Sequence, residues 1–196
     1  MKLLLISDEE DPYLWDHYQP GRLDGVDLIL SAGDLKAEYL SFLVTMAHCP
    51  LLYVHGNHDG LYEAAPPEGC ECVDDRLVIA GGLRILGLGG CMWYNGGAYQ
   101  YTEREMRRRA RRLRGRIARA GGVDILLTHA PAFGVGDAED PAHRGFRTFT
   151  SLLDELHPRC MVHGHVHERY CYGGRRVLEH GGVTVVNACG KYLLEL

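Results

Sequence analysis

Several short blocks of metal-binding side chains occur in this sequence, and each of them follows a run of apolar residues. The blocks are Gly33-Asp34, Gly56-Asn57-His58-Asp59, Thr128-His129-Ala130 and Gly164-His165-Val166-His167, and Asp8 stands in the same relation to the apolar N-terminal run. Carboxylate, amide and imidazole groups are common ligands of divalent cations. Two such ions held about 3.5–4 Å apart catalyse in-line displacement at phosphorus in many hydrolases. The blocks therefore predict a site for two metal ions and hydrolysis of a phosphate ester.

The apolar runs before these blocks predict buried strands, because continuous apolar sequence is typical of strands that are covered on both faces. Strands are expected at residues 2–7, 26–31, 51–55, 77–79, 83–88, 125–128, 160–163 and 183–186, and helices at 38–47 and 146–156. Alternating strands and helices indicate an α/β layered fold. The closer spacing of the later strands indicates a partly antiparallel second sheet. In folds of this class, sites lie at the carboxyl ends of the strands.

The clearest helix is predicted to begin at Thr102, which can form a capping box with Glu105. An apolar stripe then recurs at helical spacing and consists of Met106, Ala110, Leu113 and Ile117. Gly121-Gly122 ends the helical pattern. Nine arginines lie between residues 104 and 119. We interpret them as the solvated outer face of a surface helix, with a basic nucleic-acid patch as the alternative.

Each candidate ligand, taken alone, has an ordinary structural explanation. An aspartate after a strand usually belongs to a turn or caps a helix, and a histidine there more often makes a structural hydrogen bond. That explanation would need five strand ends to carry a ligand-type residue by accident. The joint pattern therefore favours a metal site. In an extended chain, His163 would project to the same side as His165 and His167, but it lies within its predicted strand rather than at the end of it.

The order of the blocks resembles the calcineurin-like metallophosphoesterase family, whose pattern is Asp-x-His, Gly-Asp-x-x-Asp, Gly-Asn-His-Asp/Glu, His and Gly-His-x-His. The matches run from residue 8 to residue 167. The resemblance implies a four-layer α/β/β/α sandwich and a phosphodiesterase or phosphatase that uses a metal-bound hydroxide. It implies the following ligands: Asp34 bridges the metals, Asp8 and His167 bind one ion, and Asn57, His129 and His165 bind the other. It also implies that His58 lies beside the substrate, where an imidazolium can protonate the leaving oxygen.

The chain departs from the family pattern in two places. Glu10 stands in the position of the histidine of Asp-x-His, and Ala37 stands in the position of the second aspartate. Metal binding by Glu10 would make a harder site that favours Mn or Fe over Zn. Alternatively, Glu10 points away from the site and the first metal is weakly held. Glu9 and Asp11 could then substitute for Glu10, although in an extended chain Glu9 would project to the opposite side from Asp8 and Glu10. We expect two divalent ions, with Mn or Fe favoured and Zn, Ni or Mg also compatible.

Two loops could contribute to substrate binding. Residues 128–149 also resemble a stretch of several small phosphoesterases, so His143 or Arg144 could contact phosphate oxygens. The alternative, that both are ordinary loop residues, has equal weight. Trp93, Tyr94 and Tyr99 could stack on a ring of the substrate, but packing beneath their glycine-rich loop is favoured.

Composition bounds the remaining questions. The chain has 196 residues, which predicts one domain over residues 1–196. Its net charge of -5 argues weakly against a general nucleic-acid binder. Seven cysteines occur without any Cys-x2-Cys pair; Cys70 and Cys72 could pair or bind metal, but reduced thiols are favoured, as in a reducing cytoplasm. The N-terminal run is too short for a signal peptide, and no apolar run reaches the roughly 18 residues of a membrane span.

We therefore expect a cytoplasmic enzyme that acts on a small phosphorylated substrate and does not bind membranes. Two alternatives stay open. The first is a regulator or scaffold that keeps the fold and binds one metal weakly, which the substitutions at Glu10 and Ala37 suggest. The second is a nucleic-acid-processing phosphodiesterase, which the arginine-rich helix suggests; steep salt dependence of binding would support it.

Overall fold

The computed structural model describes residues 1–167 and 175–196. Its strands are β1 (Lys2–Ser7), β2 (Leu28–Ser31), β3 (Leu51–Tyr53), β4 (Glu71–Cys72), β5 (Arg76–Ala80), β6 (Leu83–Leu88), β7 (Cys91–Met92), β8 (Gln100–Tyr101), β9 (Ile125–Thr128), β10 (Cys160–His163), β11 (Val177–His180), β12 (Val183–Asn187) and β13 (Gly190–Glu195). Its α-helices are α1 (Ala37–Ala47), α2 (Glu103–Ala120) and α3 (Arg147–Leu156), and short 3-10 helices span Pro12–Leu14 and Asp59–Glu63.

Two large sheets form the centre of the fold. The first has the strand order β13-β1-β2-β3-β4, in which β1 to β4 are parallel and β13 runs antiparallel to β1. The second has the order β11-β12-β10-β9-β6-β5, parallel in its middle and antiparallel at both edges. The expected mixed character of the second sheet is therefore confirmed. Strands β7 and β8 form a separate parallel pair.

Three apolar cores lie between the layers. Alternate side chains of β1 enter different cores, because successive residues of a strand face opposite sides of the sheet. Leu3 and Leu5 pack towards the second sheet, whereas Leu4 and Ile6 pack against α1. The third core joins the other face of the second sheet to α2 and α3. The cores thus join α1 to the first sheet, the first sheet to the second, and the second sheet to α2 and α3.

Helix α2 forms as its sequence predicts. The Thr102 hydroxyl accepts the Glu105 backbone N–H at 3.3 Å, and the Glu105 carboxylate accepts the Thr102 N–H at 2.8 Å. The apolar stripe is buried, and Gly121 ends the helix in the left-handed conformation with φ 77°. Arg109 is the exception to the outer face: it is buried, and it donates to Asp75 Oδ1 at 2.8 Å and to the Gly89 carbonyl at 2.7 Å. The other eight arginines of α2 are exposed.

Within residues 1–167 and 175–196, no helix combines the length and the apolar character needed to span a bilayer.

Candidate metal centre

The predicted ligands follow the carboxyl ends of β1, β2, β3, β9 and β10. Three of them, Asp8, Asp34 and His165, have left-handed backbones with φ of 63°, 58° and 66°. Residues other than glycine rarely adopt this conformation, and such strain tends to occur at functional sites. Gly33 and Gly56 permit the close approach of two of these turns, since a Cβ on Gly33 would clash with the Gly56 backbone and one on Gly56 with the Asp34 carboxylate.

Four ligand-type side chains meet at His129 Nε2. This nitrogen lies 3.3 Å from Asp34 Oδ2, 3.1 Å from Asn57 Oδ1 and 3.1 Å from His165 Nδ1. His129 is fully buried, and Asn57 and His165 are nearly so. We call Asp34, Asn57, His129 and His165 the His129 position. Their ligand atoms lie close enough together to surround one ion.

Backbone carbonyls orient both imidazoles of this position. His129 Nδ1 lies 2.7 Å from the Ala32 carbonyl oxygen, and His165 Nε2 lies 2.7 Å from the Ala142 carbonyl oxygen. A carbonyl can only accept, so each of these nitrogens is assigned the ring hydrogen. The opposite nitrogen, His129 Nε2 or His165 Nδ1, is then the one that faces the His129 position. Histidines that bind metals are commonly held in this way.

The charges of the His129 position favour a cation at its centre. Burial lowers the pKa of His129, but the charge of Asp34 opposes this and raises the pKa to about 9. Burial raises the pKa of Asp34, but His129 outweighs it and brings the pKa down to about 2. Burial and the neighbouring His129 lower the pKa of His165 to about 3, so His165 stays neutral. The Asp34 carboxylate therefore stabilises positive charge on the neighbouring His129, whereas His165 offers a neutral imidazole.

Asp8 and His167 lie on the other side of the motif. The Asp8 carboxylate accepts the His165 backbone N–H at 2.9 and 3.1 Å, and burial raises its pKa. His167 Nδ1 lies 3.0 Å from Glu9 Oε1 and 3.9 Å from Cys189 Sγ. Glu9, His167 and Cys189 together form a second group with metal-ligand spacing. We call Asp8, Glu9 and His167 the His167 position.

Glu10 takes a different direction from Glu9. Its Oε1 accepts the Lys36 backbone N–H at 3.3 Å and lies 3.6 Å from Lys36 Nζ. The expectation that Glu9 would project away from the site is wrong. It assumed an extended chain, whereas Asp8 has a left-handed backbone that turns the chain sharply. Glu9 therefore reaches His167, and metal binding by Glu10 stays a prediction.

His58 lies at the exposed rim of the centre. Its backbone N–H donates to Asp34 Oδ1 at 2.7 Å, and its Nε2 is 4.0 Å from Asp34 Oδ2. The side chain is 77% exposed, so it is accessible to a bound substrate. Glu10, Asp34 and His58 share the lining of a cavity of about 400 Å³.

The two predicted substrate contacts occupy different places. The His143 ring centroid is 5.2 Å from that of His165, and His143 Nδ1 lies 3.0 Å from Asp140 Oδ1. Arg144 instead lines a larger cavity of about 920 Å³ with Phe133 and Arg147. His143 therefore borders the His129 position, whereas Arg144 lies beside a neighbouring pocket.

The aromatic residues of the glycine-rich loop also differ from one another in their surroundings. The Tyr94 hydroxyl lies 3.4 Å from Asn57 Nδ2, and Trp93 is 56% exposed. Tyr99 stacks on His55 with ring centroids 4.3 Å apart. Packing is thus confirmed for Tyr99, while Tyr94 borders the centre.

Asp59 is a residue of the centre that the sequence argument left without a role. One of its oxygens, Oδ2, accepts the backbone N–H of Gly56 at 2.7 Å and that of Asp34 at 2.9 Å. Burial and the charge of Asp34 raise its pKa to about 6. Asp59 therefore ties the loop after β2 to the loop after β3. In the sequence, its position at the end of the Gly56-Asn57-His58-Asp59 block was the signal that could have indicated this role.

Comparisons with known proteins identify the family and support the fold. The sequence profile of the calcineurin-like phosphoesterase superfamily domain matches residues 1–190. A protein of Haemophilus influenzae described as uncharacterized is 28% identical, over 98% of this chain and 96% of its own. A solved structure superposes on 98% of this chain and 94% of its own with a TM-score of 0.68 at 14% identity. The crystal structure of TT1561 from Thermus thermophilus covers 96% of this chain and 89% of its own, with a TM-score of 0.62 at 17% identity.

Proposed function

The chain belongs to the calcineurin-like phosphoesterase superfamily, and we propose that it hydrolyses phosphate mono- or diesters at a centre of two divalent metal ions. Membership implies metal-dependent hydrolysis of phosphate esters; the two-ion centre, its ligands and the substrate are our proposal. The observation that carries it is the convergence of Asp34, Asn57 and His165 on His129 Nε2 at 3.1–3.3 Å. Three of these atoms are acceptors as assigned, and a single proton on His129 Nε2 can serve only one of them fully.

The donor chemistry fits a pair of divalent ions. The His129 position offers two imidazole nitrogens, an amide oxygen and a carboxylate oxygen. We assign the second ion to the His167 position, with Asp34 as the bridge. The 3.0 Å contact between Glu9 and His167 supports Glu9 as a ligand there, and Glu10 is the alternative ligand. Because oxygen and nitrogen donors dominate, we expect Mn or Fe, with Zn, Ni or Mg also compatible.

When bound, such ions activate water and neutralise charge on the phosphate. The chain's own residues supply the positioning. Ala32 and Ala142 fix the orientations of the two histidines through their carbonyls, and Asp59 fixes the loops of Asp34 and Asn57. Such outer contacts commonly change metal affinity or activity by about 10–100-fold.

His58 is assigned the proton transfer to the leaving oxygen. Its backbone is held by Asp34 Oδ1, and its exposed imidazole stands at the mouth of the site. An imidazole can hold or release a proton near neutral pH, and a positioned general acid contributes about 10²–10⁴-fold. We assign contact with the substrate phosphate to His143, beside His165, or to Arg144, in the cavity that it lines with Phe133.

The test combines elemental analysis with a panel of phosphate mono- and diesters. We expect two equivalents of metal per chain and hydrolysis that Asp34→Asn abolishes. His58→Ala should reduce hydrolysis of an alkyl ester about 10²–10⁴-fold but that of a nitrophenyl ester much less, because nitrophenolate leaves without a proton. His17→Ala, a change of an exposed histidine elsewhere, is the matched control. Full activity of Asp34→Asn contradicts the proposal.

The regulator alternative is favoured by one observation, the contact of Glu10 with Lys36 rather than with the His167 position. It predicts one metal or fewer per chain and no hydrolysis across the panel. Two bound ions with turnover exclude it. The nucleic-acid alternative predicts binding that weakens steeply with salt, and salt-independent substrate affinity excludes that one.

We also propose a cytoplasmic location. Among the described residues, Cys49, Cys70, Cys72, Cys91 and Cys160 are free thiols. Free thiols are typical of reducing compartments. Fractionation of cells expressing the full chain with a fused tag tests the location.

A further inference from the structure

A second group of metal-ligand side chains lies at the edge of the first sheet. His55 follows β3, Cys72 ends β4, and Asp74 lies two residues beyond Cys72. Cys72 pairs in register with Tyr53, so strand alternation brings Cys72 and Asp74 to the side on which His55 lies. One atom from each of the three residues lies within 4.8 Å of the other two. We call these three residues the His55 cluster.

Two potential metal-ligand atoms lie near the same nitrogen of His55. Asp74 Oδ2 lies 2.6 Å from His55 Nδ1, and Cys72 Sγ lies 3.7 Å from it. A ring nitrogen carries at most one hydrogen, so one proton on Nδ1 can serve only one of these two neighbours. A cation placed among the nitrogen, sulfur and oxygen atoms would bind all three at once. The three atoms therefore converge as the ligands of a single cation would.

The distances suit a tetrahedral zinc site. Zinc bonds of about 2.3 Å to sulfur and about 2.0–2.2 Å to nitrogen and oxygen place tetrahedral S and N ligands about 3.6 Å apart and N and O ligands about 3.4 Å apart. The sulfur–nitrogen distance of 3.7 Å already matches. The nitrogen–oxygen distance of 2.6 Å is that of a charge-assisted hydrogen bond. Exchange of that proton for zinc needs this one distance to open by about 0.8 Å.

The surroundings hold the cluster in place. Asp74 Oδ1 accepts the Gly89 N–H at 2.5 Å and lies 3.8 Å from Arg109 Nη2, which leaves Oδ2 directed at His55. The His55 ring is stacked on Tyr99 with centroids 4.3 Å apart. The side chains of His55 and Asp74 are only 14% and 17% exposed. Oriented ligand atoms with little exposure are a usual setting of a metal site.

We propose that His55, Cys72 and Asp74 bind a zinc ion that is separate from the hydrolytic centre. Thiolate, imidazole and carboxylate are zinc ligands, and the thiolate selects for zinc over Mg or Mn. The ion joins β4, which has only two residues, to the end of β3. It thereby fixes His55, which directly precedes the Gly56-Asn57 segment of the His129 position.

Cobalt substitution tests the proposal without reference to activity. Cobalt bound by a thiolate gives a charge-transfer band in the near ultraviolet, which carboxylate, amide and imidazole ligands do not give. We expect the band in the purified wild-type chain, its loss in Cys72→Ser, and its retention in Cys49→Ser. Cys49 is the matched control, because it is also half-buried and packs against the same core as Cys72.

A further variant, Cys189→Ser, separates the His55 cluster from the hydrolytic centre. Cys189 lies beside His167, so a band that disappears in Cys189→Ser and persists in Cys72→Ser would place the thiolate there and overturn the proposal. Absence of the band from the wild-type chain would also overturn it. Bound zinc should fall by one equivalent per chain in Cys72→Ser and stay constant in Cys49→Ser.

A measurement on the wild-type chain covers the case in which Cys72→Ser fails to fold. Alkylation of each thiol is followed by peptide mass spectrometry with and without added zinc. Zinc should slow the alkylation of Cys72 at least tenfold and leave the rate at Cys49 unchanged. Equal rates at Cys72 with and without zinc would contradict the proposal.

Discussion

Replacing Asp59 tests whether the two ligand loops depend on one shared acceptor. Its Oδ2 accepts the backbone N–H groups of Gly56 and Asp34, and the residue is 3% exposed. Asp59→Ala removes this acceptor and leaves one buried and one partly buried donor without a partner. Asp59→Asn keeps a side-chain oxygen of the same reach and removes the negative charge. The pair of variants separates hydrogen bonding from charge.

The expected magnitude follows from the two hydrogen bonds. A buried donor without a partner costs about 1–3 kcal/mol, so Asp59→Ala should lower the free energy of unfolding by about 2–6 kcal/mol. We expect about 3 kcal/mol, because a water molecule can enter the space left by the carboxylate and satisfy one donor. Asp59→Asn should stay within about 1 kcal/mol of wild type, because both N–H groups keep an acceptor.

Urea unfolding of the chelator-treated chain measures the free energy without a contribution from bound metal. Metal titration of the same variants should show affinity reduced by about 10–100-fold in Asp59→Ala, because Asp34 and Asn57 are no longer tied together. Asp16→Ala, at an exposed aspartate, is the control. Equal losses in the alanine and asparagine variants would refute the reasoning, since the charge would then matter rather than the acceptor.

Two further predictions concern ion pairs outside the centre. Arg109→Ala should destabilise the chain by about 2–4 kcal/mol, because the buried groups that Arg109 contacts lose their partner. Arg108→Ala, at an exposed position of the same helix, should change the free energy of unfolding by less than about 0.5 kcal/mol. Similar losses in both variants would contradict the burial of Arg109. The Arg84 hydrogen bond lowers the pKa of Asp124 to about 2 from 3.8. Its contribution is therefore present above pH 3.8 and should be lost as the pH falls towards 2, and acid unfolding of Asp124→Asn should lack this component; an unchanged profile would exclude it.

The strands that the sequence predicted well are those buried on both faces. Residues 83–88, 125–128 and 160–163 match β6, β9 and β10 to the residue. Strands β11 and β13 were missed, because both are partly exposed edge strands and carry no continuous apolar run. Short strands such as β4 depend on pairing with a neighbour rather than on their own sequence.

Side chains whose roles depend on distant partners could not be predicted from local pattern. Arg109 belongs to a helix face that otherwise meets solvent, and its burial results from Asp75 and the Gly89 carbonyl. The choice between Glu9 and Glu10 depended on the backbone of Asp8, which ends the alternation on which a parity argument relies. The sequence thus predicted the type of each residue and its position after a strand, but not the direction in which its side chain points.

The left-handed ligand residues explain why the centre needs the whole fold. Each strained residue donates its N–H to a different loop: Asp8 to the Gly33 carbonyl at 3.1 Å, Asp34 to Asp59 at 2.9 Å, and His165 to Asp8 at 2.9 Å. A left-handed backbone costs about 1–2 kcal/mol per residue, so it persists only where such contacts fix it. The loops after β1, β2, β3 and β10 therefore hold one another in the conformation that directs the ligands inward. A sequence can specify the ligand at each strand end, but only the assembled sheets supply the partner that keeps it there.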